Sequence, residues 1–406
     1  MKTDFAVIVA GGGVVGACAA ALLQARARIP AGEVLLVDRA FPAAPSADQP
    51  LDLRVSAVSR ASERIVDAAG AWRALDAGRI ARYERMRVWA RGIDPRADAA
   101  LCFDAAEIAE RDLGCIVENR ALQAALLAAG DAAGAQRLAT RIQGLVDGER
   151  PGLSTDAGEL RAELLVIADG ADSPLREALG IEVEHKAYGQ RAIVARLASE
   201  RPHEDTAWQC FLDSGPVALL PLADGHVSLV WSARDERADA LLAMSAEEFA
   251  AQLGEVMGPA LGAFTLTGER MSFPLRRQNA ARWQRGGCVL VGDAAHTLHP
   301  LAGQGLNQGL LDVAALADAL ASRPPREGVA AGRTLRAYER ERRSAYALVA
   351  ALVDGFDRLF TRAPGTLRAL GRTALAGAAH SRALRSGLMR QAMGLAGPLP
   401  TLARPG

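Results

Sequence analysis

A chain of 406 residues is too long for one minimal core and has the length of two or three packed units. Lys+Arg and Asp+Glu balance at 47 each, so the net charge gives no reason to expect a nucleic-acid partner. The five cysteines are widely spaced with no C-x-x-C pair, which argues against a disulfide framework or a thiolate metal site and for reduced thiols in a cytoplasmic setting.

Taken in order, the chain begins with an apolar strand, Phe5 to Ala10, followed at once by Gly11-Gly-Gly13-Val-Val-Gly16 and an alanine-rich helix to about Ala27. The spacing is that of a dinucleotide fingerprint. Gly11 makes the tight turn, Gly13 lets backbone approach a pyrophosphate, and Gly16 lets the helix pack close to the strand. A second strand, Glu33 to Val37, ends at Asp38, about twenty residues on, where the ribose-binding acid of such a unit belongs.

Leu51 to Ser59 reads as a loop entering a helix that runs to about Ala69, and Arg54 in it is a candidate phosphate clamp or a solvated surface arginine. Residues 83 to 92 predict a strand, and Asn119 to Ala129 a helix with Arg120 and Gln123 on one face. Leu164 to Ala168 is another buried strand ending in Asp169-Gly170, with Ser173-Pro174 suited to a helix start. From Tyr188 to Leu275 the texture changes to short strands (190 to 197, 208 to 212, 216 to 222, 227 to 232), which predicts a mostly antiparallel sheet. Its apolar residues Leu219, Leu220, Val230 and Trp231 are candidates to line a pocket for a greasy substrate, or simply core. Ser245-Ala-Glu-Glu248 is a capping box opening a helix through Val256.

The densest stretch is Cys288 to Asn307. A short apolar strand meets Gly292-Asp293, a position just past a strand end where open α/β sheets bind ligands. After Pro300, the segment Gly303-Gln304-Gly305 offers free backbone N–H groups at the start of an apolar helix containing Leu306, whose positive end suits electron-rich oxygens such as those of a flavin. His296 and His299 flank this turn. They are candidates to assist deprotonation of a phenol, against a plainer role as hydrogen-bonders holding the turn. Beyond Pro324-Pro325 the chain predicts helices, first Leu335 to Val353. From Thr361 to Gly406 it has arginines but no Asp or Glu, a basic end that suits packing on the rest of the protein or lying on an anionic membrane or partner protein. No stretch reaches the roughly eighteen apolar residues of a spanning helix, and no signal peptide is expected.

The ordered set of motifs resembles the flavin-dependent aromatic hydroxylases, most closely the ubiquinone-biosynthesis hydroxylase family. The likeness runs through Gly11 to Gly16, Arg54-Val-Ser-Ala-Val-Ser59, Gly114 to Arg120, Asp169-Gly-Ala-Asp-Ser-Pro-Leu-Arg176, Tyr188-Gly-Gln190, Glu200-Arg-Pro-His203, Gly215 to Pro221, Gly292 to Asn307 and Leu388 to Gly394. It implies a Rossmann-like α/β FAD-binding domain in three parts (1–75, 101–183, 285–330), a strand excursion at 76–100, an inserted antiparallel β-sheet substrate domain at 184–284 and a helical region at 331–406. It further implies FAD held by Gly11, Gly13, Gly16, Asp38, Arg54, Arg120, Gln123, Asp169, Gly170, Gly292, Asp293 and the Pro300, Gly303, Gln304, Gly305, Leu306, Asn307 segment. NAD(P)H would be a transient donor, and a flavin hydroperoxide formed with O2 would hydroxylate a polyprenylated phenol or benzoquinol. A quinone-biosynthesis complex or the inner membrane surface is the implied partner of the basic end. Rival readings are a hydroxylase of a small soluble aromatic and a flavin-holding scaffold without turnover. Two departures bear on the fine fit: Asp38 is shorter than the Glu often found there, and Gln308 and Leu311 stand where Leu and a polar residue are more usual.

Overall fold

The computed structural model describes residues 2–46, 48–298, 304–357, 381–395 and 397–404. Its first unit is a sheet whose main path runs through strands Gln284–Arg285, Cys288–Leu290, Gly158–Ile167, Asp4–Ala10, Val34–Asp38 and Gln136–Ala139. The last five pair in parallel. Parallel strands are covered on both faces, so they read as unbroken apolar runs rather than alternating ones. Val7 to Ala10 and Leu164 to Ile167 are all fully buried, as this requires. The helix Val14–Arg26 packs on one side against helices Asn119–Ala132 and Gln304–Ala321.

Register decides where ligands meet this sheet. Ala10 lies opposite both Ile167 and Val37, and Ile167 lies opposite Leu290, so four adjacent strands end in step. The turn glycines, Asp38, Asp169 and Asp293 therefore emerge along one edge, from segments far apart in sequence.

The second sheet has as its main path His296–Thr297, Met271–Ala280, Val183–Ser199, Val227–Arg234, Gly215–Pro221, Thr206–Leu212, Arg85–Ala90 and Leu101–Asp104. All its pairings are antiparallel except that of Thr206–Leu212 with Arg85–Ala90. The strand excursion thus continues past residue 100 to Asp104. Val183–Ser199 is interrupted by an irregularity between Ala187 and Arg191, where Gly189 takes a positive φ of 64° that a side chain would strain. One face of the sheet is covered by helices Asp235–Ala243 and Ala246–Met257, the latter opened by the Ser245/Glu248 capping box. Trp89, Trp208, Trp231, Phe249 and Leu253 fill that interface, with the Trp231 and Phe249 rings 5.9 Å apart. Leu219 and Trp231 point into this aromatic core, so of the four sheet residues named as pocket candidates these two do not line one.

A small third sheet contains Val55–Ser59, Gly114–Glu118 and Ala81–Tyr83. The expectation of a loop at 55 to 59 is corrected here: pairing with Gly114–Glu118 makes that segment a strand, and the helix starts only at Arg60. Helix Gly332–Asp357 crosses behind the parallel sheet, its Tyr338 hydroxyl donating to Leu290 O at 2.8 Å. Helix Arg382–Ala392 returns to the cavity side, where Met389 and Met393 bury against Ala105, Ile108 and Leu113, and Arg385 grips Glu107 through contacts of 2.9 and 3.1 Å.

Candidate active site

The glycine turn is shaped by close approach. Gly11 has φ +105°, and a Cβ on it would meet Ala168 O at 2.4 Å; a Cβ on Gly16 would meet Gly11 O at 1.8 Å. Nothing lies within 4 Å of a Cβ built on Gly13, so the backbone there faces open space at the start of Val14–Arg26. Asp38 sits beside the turn, its Oδ2 accepting from Gly12 N at 2.5 Å, and Gln123 Nε2 donates to Gly12 O at 2.6 Å from the neighbouring helix. Asp169 stands over the same edge with Oδ1 buried and unpartnered, and burial pushes its carboxyl above the ordinary range despite hydrogen bonds from Ser173 and Leu175 N. An open glycine cradle at a helix N-terminus and an orphaned buried acceptor among backbone N–H groups suit a dinucleotide with its pyrophosphate and hydroxyls.

From this edge the site continues into a cavity of about 730 Å³ between the two sheets. On the parallel-sheet side its wall is Ser56, Ala57, Asp293, Gln304, Gly305 and Leu306. On the other side are alternate residues of the large sheet, among them Leu220 and Val230, and Met389 of helix Arg382–Ala392 with Met393 just past its end close one end. Asp293 opens to this cavity but has protein on its other sides, so burial raises its carboxyl above the usual range, with Asp312 adding to the shift and His296 opposing it.

The Gly292–Asp293 turn is held from behind by a buried ion cluster. Asp312 Oδ2 accepts from Gly292 N at 3.0 Å and from His296 Nε2 at 2.7 Å, and its Oδ1 accepts from Arg342 Nε at 2.8 Å. Burial opposes ionisation of Asp312, yet His296 and Arg342 together hold its carboxyl below the ordinary range. Gln308, one of the two unusual residues of this helix, accepts from Arg342 Nη2 through Oε1 at 3.0 Å. His296 lies between Trp283 and Tyr346, with ring centroids 4.6 and 4.5 Å away, and is 1% exposed. It is not on the cavity wall, so of the two roles weighed for it the hydrogen-bonding one fits its contacts and phenol deprotonation does not: this imidazole braces the turn.

The remaining candidates fall into four groups. Arg54 and Arg120 are exposed, the first over the Phe273 ring at 5.8 Å and the second donating to Ala43 O at 3.0 Å. Asn307 is buried and its amide pins the neighbouring strand, accepting from Ser59 N and donating to Ala57 O, so its side chain is committed to protein. Gly170 has φ +96° and open space around it. His299, Pro300 and Gly303 lie outside the described residues. Sequence reasoning missed Asp312 and Arg342. The available signal was one acid in an otherwise apolar helical run, and an arginine amid the charges of Glu339 to Arg343.

Four cysteines, Cys18, Cys115, Cys210 and Cys288, have thiols that burial pushes up to about 12, so none is a ready nucleophile.

A Rossmann-like sheet with an open glycine cradle, facing an antiparallel sheet across a mostly apolar cavity, is the architecture of a flavoprotein monooxygenase. The family described as FAD binding domain matches residues 4–353. The chain is 36% identical to the ubiquinone hydroxylase UbiL of Rhodospirillum rubrum, covering 96% of this chain and 89% of that protein. It is 34% identical to the 3-demethoxyubiquinol 3-hydroxylase of Escherichia coli, covering 96% and 98%. In fold it is similar to p-nitrophenol 4-monooxygenase from Pseudomonas putida, with a TM-score of 0.75 at 18% identity over 98% of this chain and 99% of that one. The chain belongs to the FAD-dependent hydroxylase family of ubiquinone biosynthesis.

Two outcomes test the site. Gly16→Ala is expected to lower the thermal midpoint and abolish flavin retention, because its Cβ has no room, whereas Gly13→Ala keeps the midpoint and weakens FAD binding; thermal melts and flavin absorbance of purified protein read both. Asp312→Asn is expected to cost roughly 3–5 kcal/mol at neutral pH by stranding Arg342. Since the folded carboxyl is held below its unfolded value near 4, the wild-type advantage is full above about pH 4 and shrinks as pH falls through the lower folded value. Urea midpoints of both proteins across that range check the sign.

Proposed function

We propose that this protein hydroxylates the ring of a polyprenylated phenol or benzoquinol during ubiquinone biosynthesis, drawing on NAD(P)H and O2. The carrying observation is the cavity. It has the volume of a small-molecule site, and its walls are mostly apolar side chains with few polar groups. Ala, Val, Leu and Met surfaces favour an alkyl tail by ordinary burial, roughly 0.8 kcal/mol per methylene. Met389 and Met393 add an adaptable end wall, since thioether side chains repack around irregular chains.

Bound FAD supplies the oxygen activation, and Gly11, Gly13, Asp38, Asp169 and Asp293 are the residues that would hold it. The protein's part is positional. The two sheets would hold the ring against the first residues of helix Gln304–Ala321, Gly305 and Leu306, and the apolar walls would keep water from the reacting face. A scaffold without turnover would need neither. Substrate-dependent NAD(P)H oxidation by the purified flavoprotein, together with an accumulated ring precursor one hydroxyl short in a deletion strain, is the expected outcome. Normal quinone content without a precursor overturns it.

The family context of quinone biosynthesis suits attachment to the cytoplasmic face of the inner membrane. Among the described residues no helix is long and apolar enough to cross a membrane. Leu348 and Leu352 are exposed at 52% and 41%, one turn apart on helix Gly332–Asp357, and exposed Arg390 belongs to the basic end. Arg362, Arg368 and Arg372 of that end lie outside the described residues. Full-length protein is expected to float with anionic liposomes and a chain lacking residues 361–406 to stay behind; equal flotation would rule the basic end out.

A further inference from the structure

Side chains on a strand alternate between faces, and in Thr206–Leu212 the two faces have different neighbours. Trp208, Cys210 and Leu212 enter the aromatic core beneath the helices, while Ala207 and Gln209 face the cavity. Pairing sets Gln209 opposite Ala218, Ala218 opposite Val230, and Val230 opposite Val194. These four side chains form one row across the cavity wall, and Gln209 is its polar member. The adjoining methyls of Ala207 and Ala218 leave room in front of the amide.

Gln209 is 5% exposed, and among the described residues its amide has no hydrogen-bond partner. Three other polar groups of the wall are already engaged, while the Tyr83 hydroxyl sits at another part of the lining. Ser56 Oγ donates to Asn119 Oδ1 at 2.6 Å, Thr297 Oγ1 donates to Arg276 O at 3.3 Å, and Arg276 Nη2 donates to Asp172 Oδ1 at 2.5 Å. Asp293 stands on the cofactor side, across the cavity from the sheet. A carboxamide with two donors and an acceptor, set in an apolar wall, is satisfied by water until a ligand displaces that water, and the ligand must then replace the lost bonds.

We propose that Gln209 recognises an oxygen substituent of the aromatic substrate, its N–H groups donating to a methoxyl, carbonyl or phenolic oxygen and so fixing how the ring lies in the cavity. This role rests on the aromatic-hydroxylase reading above. A site built to hydrogen-bond an oxygen rejects analogues without it far more strongly than an apolar pocket rejects an extra methylene.

The test compares two soluble probes in the FAD-loaded full chain: a short-chain alkyl methoxyphenol, and the same alkylbenzene without ring oxygens. Binding is read by perturbation of the flavin spectrum. Wild type is expected to prefer the methoxyphenol. Gln209→Met should weaken it by roughly 10-fold to 100-fold and leave the alkylbenzene unchanged. Gln209→Glu, of the same shape but without the N–H donors, makes the same comparison should the Met variant fail to hold flavin. Unchanged methoxyphenol binding in the variants, or an equal loss for both probes, overturns the role of Gln209 while leaving the hydroxylase reading intact. Failure of any phenol to stimulate NAD(P)H oxidation in wild type overturns both.

Discussion

Asp312 is a carboxylate with no exposure to solvent, and it stays ionised because three donors from two separate segments converge on it: Gly292 N and His296 Nε2 of the turn, and Arg342 Nε. An unpaired charge at that depth would be prohibitively costly, so the cluster forms as a unit or not at all. Its geometric effect is to tie helix Gln304–Ala321, helix Gly332–Asp357 and the Gly292–Asp293 turn together. The turn is thereby held at the end of the parallel sheet, where Asp293 meets the cavity. Trp283 and Tyr346, packed on both sides of His296, keep the imidazole in place, and the Tyr346 hydroxyl donates to Gln278 O and Thr297 O of the second sheet. The glycine-turn edge of the parallel sheet and the second sheet are thus fastened to one buried anion.

The large sheet works because its two faces have opposite compositions. The helix-covered face carries three tryptophans, and Phe249 of the covering helix packs against them, each contributing a large apolar area. The cavity face is lined by Ala192, Val194, Ala207, Ala218 and Val230, small enough to leave a space rather than fill it. The rigidity comes from one face and the vacancy from the other. Arg385 and Glu107 then bring the methionine-bearing helix over the open end, so the cavity is completed by a segment 278 residues beyond the one it grips.

Much of the cofactor edge could be read in the chain because its requirements are local. A strand, a glycine turn and a helix within some twenty residues have few alternatives, and Asp38, Asp169 and Asp293 each follow a short apolar run that is a buried parallel strand. The strand at Val55–Ser59 was not legible, since its pairing partner lies about sixty residues downstream and an Arg-Val-Ser-Ala-Val-Ser segment carries no strong preference of its own. The division of Leu219 from Leu220, and of Trp231 from Val230, was also hidden. Alternation says that neighbours face opposite ways but not which way is the core.

His296 marks the limit most clearly. As a residue type beside a glycine turn it has the chemistry of a general base, and nothing in its neighbours along the chain argues otherwise. What fixes its role is Asp312, sixteen residues on, and two aromatic rings from separate elements. The sequence by itself determined the fold class, the family and the cofactor edge, because short-range spacing and strand ends specify them. Which side chains face the cavity, which polar groups are already spent on protein, and that Gln209 has no partner among the described residues were decided by tertiary packing, because contact between distant segments is set by sheet register and burial rather than by chain proximity.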